Sequence, residues 1–184
     1  MAIRSLKTGS FSRSTQVGNT MIFPGSYESI ATVAVGAGGQ SSIQFTSIPA
    51  TFQHLQIRLF SKNSTDNGTI GMRYNSDSGA NYSYHDLYGN GGGAGGSALA
   101  ASSQTTLFAC LTGSTQASVA VIDILDYADT NKYKTNRNII GVDYNGSGYA
   151  WVSSGNWRST TAINSITLNA TFNQYTHAAL YGVR

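Results

Sequence analysis

Three carboxylates at three-residue intervals, Asp123, Asp126 and Asp129, close an apolar run and are followed by Thr130 and Asn131. Hard oxygen donors grouped in this way could ligate calcium, but the segment lacks the glycine and the terminal glutamate of a calcium-binding loop. Turn capping, with pairing to Lys132 or Lys134, accounts for the same residues, and no metal site is predicted. His54, His85 and His177 are far apart, and no two have the spacing of zinc ligands. His85 and Asp86 are adjacent, so on a strand they point to opposite faces, and no GxSxG elbow is present. Cys110 follows Leu107 and Phe108 in a strand-like run; a lone thiol there reads as a small buried apolar residue, and it has no partner for an intramolecular disulfide. Only eight of 184 residues are acidic, and Glu28 is the one glutamate. General acid/base work therefore has few groups to draw on, and no catalytic residue, no cofactor and no enzymatic activity are predicted.

Aromatic side chains are the stronger lead. Tyr82, Tyr84 and Tyr88 share a strand parity, with His85 among them, and Tyr144, Tyr149, Trp151 and Trp157 lie in a second aromatic run, with Asn, Gly and Ser around them. Rings beside small polar residues stack on sugar faces and hydrogen-bond hydroxyls. The same rings also build the centre of a protein interface or a sandwich core. Basic residues are less informative: the net charge of +3 comes from 11 Lys and Arg spread along the chain, short of the clustered face that binds nucleic acid. Lys132 and Lys134 alternate on a strand and could share a small positive patch, which reads as a solvated strand face rather than a phosphate-binding one.

The elements that must position these side chains read as strands. Twenty-one glycines and 11 tyrosines stand against few strong helix formers, and short apolar runs are broken by turn residues every eight to fifteen positions. Such spacing predicts an all-β chain, a β-sandwich of jelly-roll type, with strands from Tyr27 onward. His54 to Leu59 alternates cleanly, with Leu55, Ile57 and Leu59 on one face, while Val119 to Leu125, apolar apart from Asp123, reads as a central strand. Gly36 to Gly39, Asp66-Asn67-Gly68, Asp77-Ser78-Gly79 and Asn145-Gly146 supply positions for tight turns. Gly89 to Ser97 is of low complexity, lacks the phosphate-binding lysine, and reads as a flexible loop.

Residues 1–26 have no sustained period and read as an arm preceding a domain over 27–184. Arg4, Leu6, Lys7, Phe11, Arg13 and Phe23 are its candidate anchors. No stretch approaches the ~20 apolar residues of a membrane-spanning helix, mean hydropathy is -0.16, and no apolar block follows the first positive charges. A soluble protein that folds where it is made is expected.

Four segments carry a family likeness: Met1-Ala-Ile-Arg-Ser-Leu-Lys through Ser14; Tyr27 to Gly36 with Phe45 to Pro49 and His54 to Arg58; Ile122 to Thr135; and Ala162 to Leu168 with Ala179 to Val183. In these the chain resembles small structural proteins of tailed bacteriophages, marine and cyanobacterial phages above all. The resemblance implies a non-enzymatic virion component, assembled in the bacterial host cytoplasm and placed on the particle. An exterior capsid decoration or cement protein, anchored by its arm to other virion proteins, is the first expectation. A tail fibre or receptor-binding module that grips host surface glycan is the alternative, and a glycan depolymerase a weaker third. A homo-oligomer, trimer first, is expected, with no nucleic-acid partner and no membrane span.

Overall fold

The structure is a computed structural model that describes residues 15–17, 20–22 and 26–184. The six arm positions named above, Arg4, Leu6, Lys7, Phe11, Arg13 and Phe23, lie outside the described residues. Two short strands, β1 (Thr15–Val17) and β2 (Thr20–Ile22), pair with each other. The remaining strands are β3 (Tyr27–Ala34), β4 (Gln40–Phe45), β5 (His54–Ser61), β6 (Thr69–Tyr74), β7 (Tyr82–Gly89), β8 (Ala94–Gln104), β9 (Leu107–Leu111), β10 (Ser118–Leu125), β11 (Lys134–Asp143), β12 (Gly148–Trp157), β13 (Ile166–Phe172) and β14 (His177–Val183). Among the described residues there is no helix.

Pairing follows from where apolar side chains must go. The inward residues of β5 and β10, Leu55, Ile57, Leu59, Ala120, Ile122 and Ile124, are buried against Ile43, Phe45, Ile70, Met72, Ile166 and Leu168 of the facing sheet. Burying each such branched chain stabilises the fold by roughly 1.5–3 kcal/mol. The large sheet has the order β3-β14-β5-β10-β11-β12-β7-β8 and the small one β4-β13-β6-β9, with antiparallel pairing throughout. Taken without the last four strands of the large sheet, β3-β14-β5-β10 against β4-β13-β6-β9 is the double Greek key of a jelly roll.

Two hairpins extend that frame. β7–β8 is inserted between β6 and β9, β11–β12 between β10 and β13, and both add to the same edge of the large sheet. Seven inter-strand steps of ~4.8 Å span about 34 Å, against about 14 Å for the small sheet. The small sheet's edge strand β9 lies over β10, β11, β12 and β7, so β8 and the Tyr88 and Trp151 ends of β7 and β12 form a wing that projects beyond its cover.

Turn chemistry explains several corners. Asn145 and Gly146 both have positive φ, 67° and 103°, and Tyr144 N bonds Ser147 O at 2.6 Å, the mirror-image turn that suits a hairpin. Between β6 and β7 the positive-φ pair is Asn75 and Ser76, two residues before the expected Asp77-Ser78-Gly79. Asp77 instead caps that segment, its Oδ1 accepting from Gly79 N at 2.8 Å. Gly182 has a packing reason: a Cβ there would lie 2.3 Å from the Phe52 ring.

Two expectations are corrected. The glycine-rich stretch is a tight turn at Asn90–Gly93, closed by Asn90 N to Gly93 O at 3.2 Å, followed by the edge strand β8 rather than by more loop. Gly95 lies under the Tyr88 ring, where a Cβ would come within 2.7 Å, so the missing side chain is what lets β8 close on β7. The positive patch does not form. Lys134 is fully buried, and its Nζ donates to the carbonyls of Asp129, of Lys132 at 2.9 Å and of Thr160 at 3.1 Å. Burial pushes its ammonium below the usual lysine range. Lys132 stays outside and pairs with Asp126 and, at 3.6 Å, with Asp129.

Candidate functional site

Aromatic residues separate into two sets according to how far the small sheet reaches. Tyr82 and Trp157 lie under it. Tyr82 is 0% and Trp157 3% exposed, and with Tyr74 they form a ring cluster with centroids 5.6 to 6.5 Å apart. Tyr82 Oη donates to Asp77 O at 3.0 Å and accepts from Tyr74 N at 3.2 Å. Desolvation raises its phenol to about 12. Trp157 Nε1 donates to Asp77 Oδ2 at 2.7 Å. These two residues are core and present no ring to a ligand, which corrects their place in the predicted aromatic platform.

Burial alone would raise the Asp77 carboxyl. Hydrogen bonds from Trp157, Asn81 and the Gly79 amide outweigh it, with help from Arg73, and hold the group below its ordinary 3.8. The folded state therefore binds this proton less readily than the unfolded chain, and the resulting stability is present above the ordinary value and lost as pH falls through the lowered one. Asp77→Asn is expected to flatten the loss of stability below about pH 4, read by urea unfolding across the acid range.

Tyr84, Tyr88, Tyr149 and Trp151 lie on the same face of the large sheet but on the wing, where cover is partial, and all four are half-buried. Tyr88 stacks on Trp151 at 4.4 Å, Tyr149 packs against both, and Phe108 of β9 closes the inner side at 5.2 Å from Trp151. Trp151 Nε1 is buried without a hydrogen-bond partner among the described residues.

At the end of the wing this cluster opens into three connected hollows that share Asn90. One of about 370 Å³ is lined by Asp66, Asn67, Asn90, Tyr144, Ser147, Gly148 and Tyr149. A second, of about 730 Å³, runs onto the other face past Gly89, Gly141 and Ala150 to Val119. A third, of about 260 Å³, lies between Tyr88 and the Asn90–Gly93 turn. Tyr144 is fixed from both sides, its Oη donating to Thr112 O at 2.8 Å and accepting from Asn67 N at 3.1 Å. The turn beside it is held by Asp143, whose Oδ1 accepts from Asn145 N at 2.7 Å and Gly146 N at 3.2 Å. Rigid rings next to amide, hydroxyl and carboxylate groups can hold a polyhydroxylated ligand by stacking and hydrogen bonding. Sequence reasoning placed Tyr144 and Tyr149 in one aromatic run but missed Asn67 and Asn90, which only the convergence of three loops brings to the same place.

Several of the described carboxylates and two of the histidines are engaged in holding the fold. Asp66 accepts from Ser114 N, Asp123 from Gln56 Nε2 at 2.8 Å, Asp129 from Asn131 N at 2.8 Å, and Glu28 pairs with Arg184 at 2.7 Å. His54 Nδ1 accepts from Asp126 N at 3.0 Å, and His177 stacks on Phe60 at 5.1 Å. Cys110 is fully buried, and desolvation raises its thiol to about 12. Among the described residues no three His, Cys, Asp or Glu side chains are grouped to hold a metal ion.

A second surface emerges on the far side of the large sheet. Val121, Ile139, Val152 and Leu87 are direct cross-strand neighbours on β10, β11, β12 and β7, and all point away from the core. Their exposures are 38%, 61%, 46% and 63%. Val119 and Phe60, paired in the next row, extend the band. The expected central strand, β10, is indeed fourth of eight, yet only one of its faces is covered.

No family model and no curated protein matches the chain. Among solved structures, the crystal structure of a protein of unknown function from Shewanella oneidensis MR-1 is similar over 92% of this chain and 78% of that one, at 12% identity and a TM-score of 0.25, a likeness too low to carry an argument.

Proposed function

We propose that this chain is a non-enzymatic structural component of a tailed-phage virion, an exterior capsid decoration or cement protein tethered through residues 1–26. The resemblance of its four segments to such proteins supports the reading, and so does the structural employment of its carboxylates. A jelly roll serves many functions, so the fold alone does not assign one. The observation that carries the proposal is the apolar band from Leu87 to Val121 on an otherwise complete sandwich: large exposed apolar patches mark association surfaces, and assembly is the work such a face suits. The protein then acts by bringing surfaces together, the arm against the shell and the sheet against neighbours. Deleting residues 1–26 is expected to leave the sandwich folded and to abolish incorporation into particles, read by quantitative gel analysis of purified virions. Normal incorporation of the truncated protein would remove the arm from the proposal.

The wing-end hollow favours a second reading, a receptor-binding module for host surface glycan. Tyr144 and Tyr149 offer rings beside Asn67, Asn90 and Ser147. Tyr149→Ala is expected to weaken retention on host polysaccharide about tenfold, the loss of one stacking contact, with unchanged oligomeric state. Unaltered retention would reject the hollow as the glycan site.

A further inference from the structure

The uncovered face of the large sheet matches itself. We infer that two copies of this chain pair face to face through it, about a two-fold axis that runs parallel to the strands between β10 and β11. This inference goes beyond the virion reading and stands independently of it.

The argument rests on register. Outward residues fall into rows across the sheet: Val119 beside Gly141, Val121 beside Ile139, and Asp123 beside Arg137. A rotation of a half-turn about the stated axis places β10 of one copy over β11 of the other while keeping each row in line. Val119 of one copy then meets Gly141 of the other, a branched side chain over a bare backbone. Val121 meets Ile139, apolar on apolar. Asp123 meets Arg137, a carboxylate on a guanidinium, and the symmetry makes that contact twice. One step outward, Phe60 comes over Ala150, again large over small. Facing sheets interdigitate in this manner at ~10 Å, and because each sheet twists, the β10 and β11 positions nearest the axis hold their match best.

Other side chains make way for this contact. Arg58 would face Val152, but its guanidinium leans over the Tyr27 and Tyr181 rings, 5.3 and 4.9 Å from their centroids, toward the opposite edge of the sheet. Asp123 and Arg137 already bridge within one chain at 3.4 Å, with side-chain exposures of 27% and 63%. Both therefore keep surface for a second partner. The six strands from β14 to β7, which the axis exchanges in pairs, present roughly 29 by 24 Å of face, or close to 700 Å² in projection, near the ~800 Å² per partner of a standard stable interface. An isologous contact of this kind closes as a dimer, unlike the three-fold association expected from the resemblance.

The test uses full-length chain and analytical ultracentrifugation at micromolar concentration. Wild-type protein is expected to sediment as a dimer, and Ile139→Asp, at an exposed position that folding does not depend on, as a monomer at least a hundredfold weaker in association. The decisive arm is charge exchange in trans. Asp123→Arg alone puts two arginines against two, and Arg137→Asp alone puts two aspartates against two, so each is expected to be monomeric, with folding verified by thermal melting. Mixed in equal amounts, the two variants are expected to form a heterodimer, because each new charge meets its opposite across the axis. A role for the pair within one chain cannot produce that rescue. A monomeric wild type, as when residues 1–26 cover the band of their own chain, overturns the inference. So does a trimer, a dimer indifferent to Ile139→Asp, or a mixture that stays monomeric.

Discussion

Trp157→Ala is expected to lower the stability of the sandwich by about 3–5 kcal/mol, the cost of emptying a large aromatic site in a packed core. Trp157 fills the space between Tyr74 and Tyr82 under the small sheet. Its Nε1 is also one of the donors that keep the Asp77 carboxylate ionised. Alanine removes ring and donor together, so the cavity and the weakened Asp77 site act on the same corner and their effects do not separate additively. Trp151→Ala, on the half-covered wing, should cost distinctly less and should instead disturb the Tyr88 and Tyr149 rings that border the hollows. Urea unfolding of both variants checks the contrast. Equal losses would contradict the division of the aromatics into core and surface sets.

Lys134→Ala ranks with it. The side chain is the one charged group with 0% exposure among the described residues, and its three carbonyl partners come from the β10–β11 connection and from the segment after β12. Removing the ammonium leaves those carbonyls without a donor at a site already closed to water. A loss of about 3–5 kcal/mol is expected, since each buried carbonyl left without a donor costs ~1–3 kcal/mol. Lys134→Met, which restores volume but not donors, should recover only part of it. Lys132→Ala, two residues away and exposed, should leave stability nearly unchanged despite its pairing with Asp126. If Lys134→Ala proved as mild as Lys132→Ala, the lysine would not be what ties these two connections together.

The pattern of residues made some of this legible. Alternation in His54 to Leu59 identifies both β5 and its buried face, because a period of two leaves no other arrangement. Asn145-Gly146 marks its hairpin because few residues besides these accept positive φ in succession. Other features depend on partners distant in sequence. β8 is made largely of Gly, Ala and Ser and has no period to read; it is a strand because β7 offers an edge and Gly95 leaves room for Tyr88. Lys134 looks like a solvated cation until three carbonyls converge on it. Tyr82 and Tyr88 share a parity and differ in burial only because the small sheet stops between them. The uncovered band was hidden for the same reason: Val119 to Leu125 reads as a central strand, and which strands lack a cover on one face is a property of the whole topology.

The central claim is a place on the virion, and a cryo-electron-microscopy map of particles carrying this protein tests it most directly. The account predicts sandwich density on the exterior of the capsid, with residues 1–26 laid against the shell. Purified particles that contain no such density, and no trace of the chain by mass spectrometry, would contradict it.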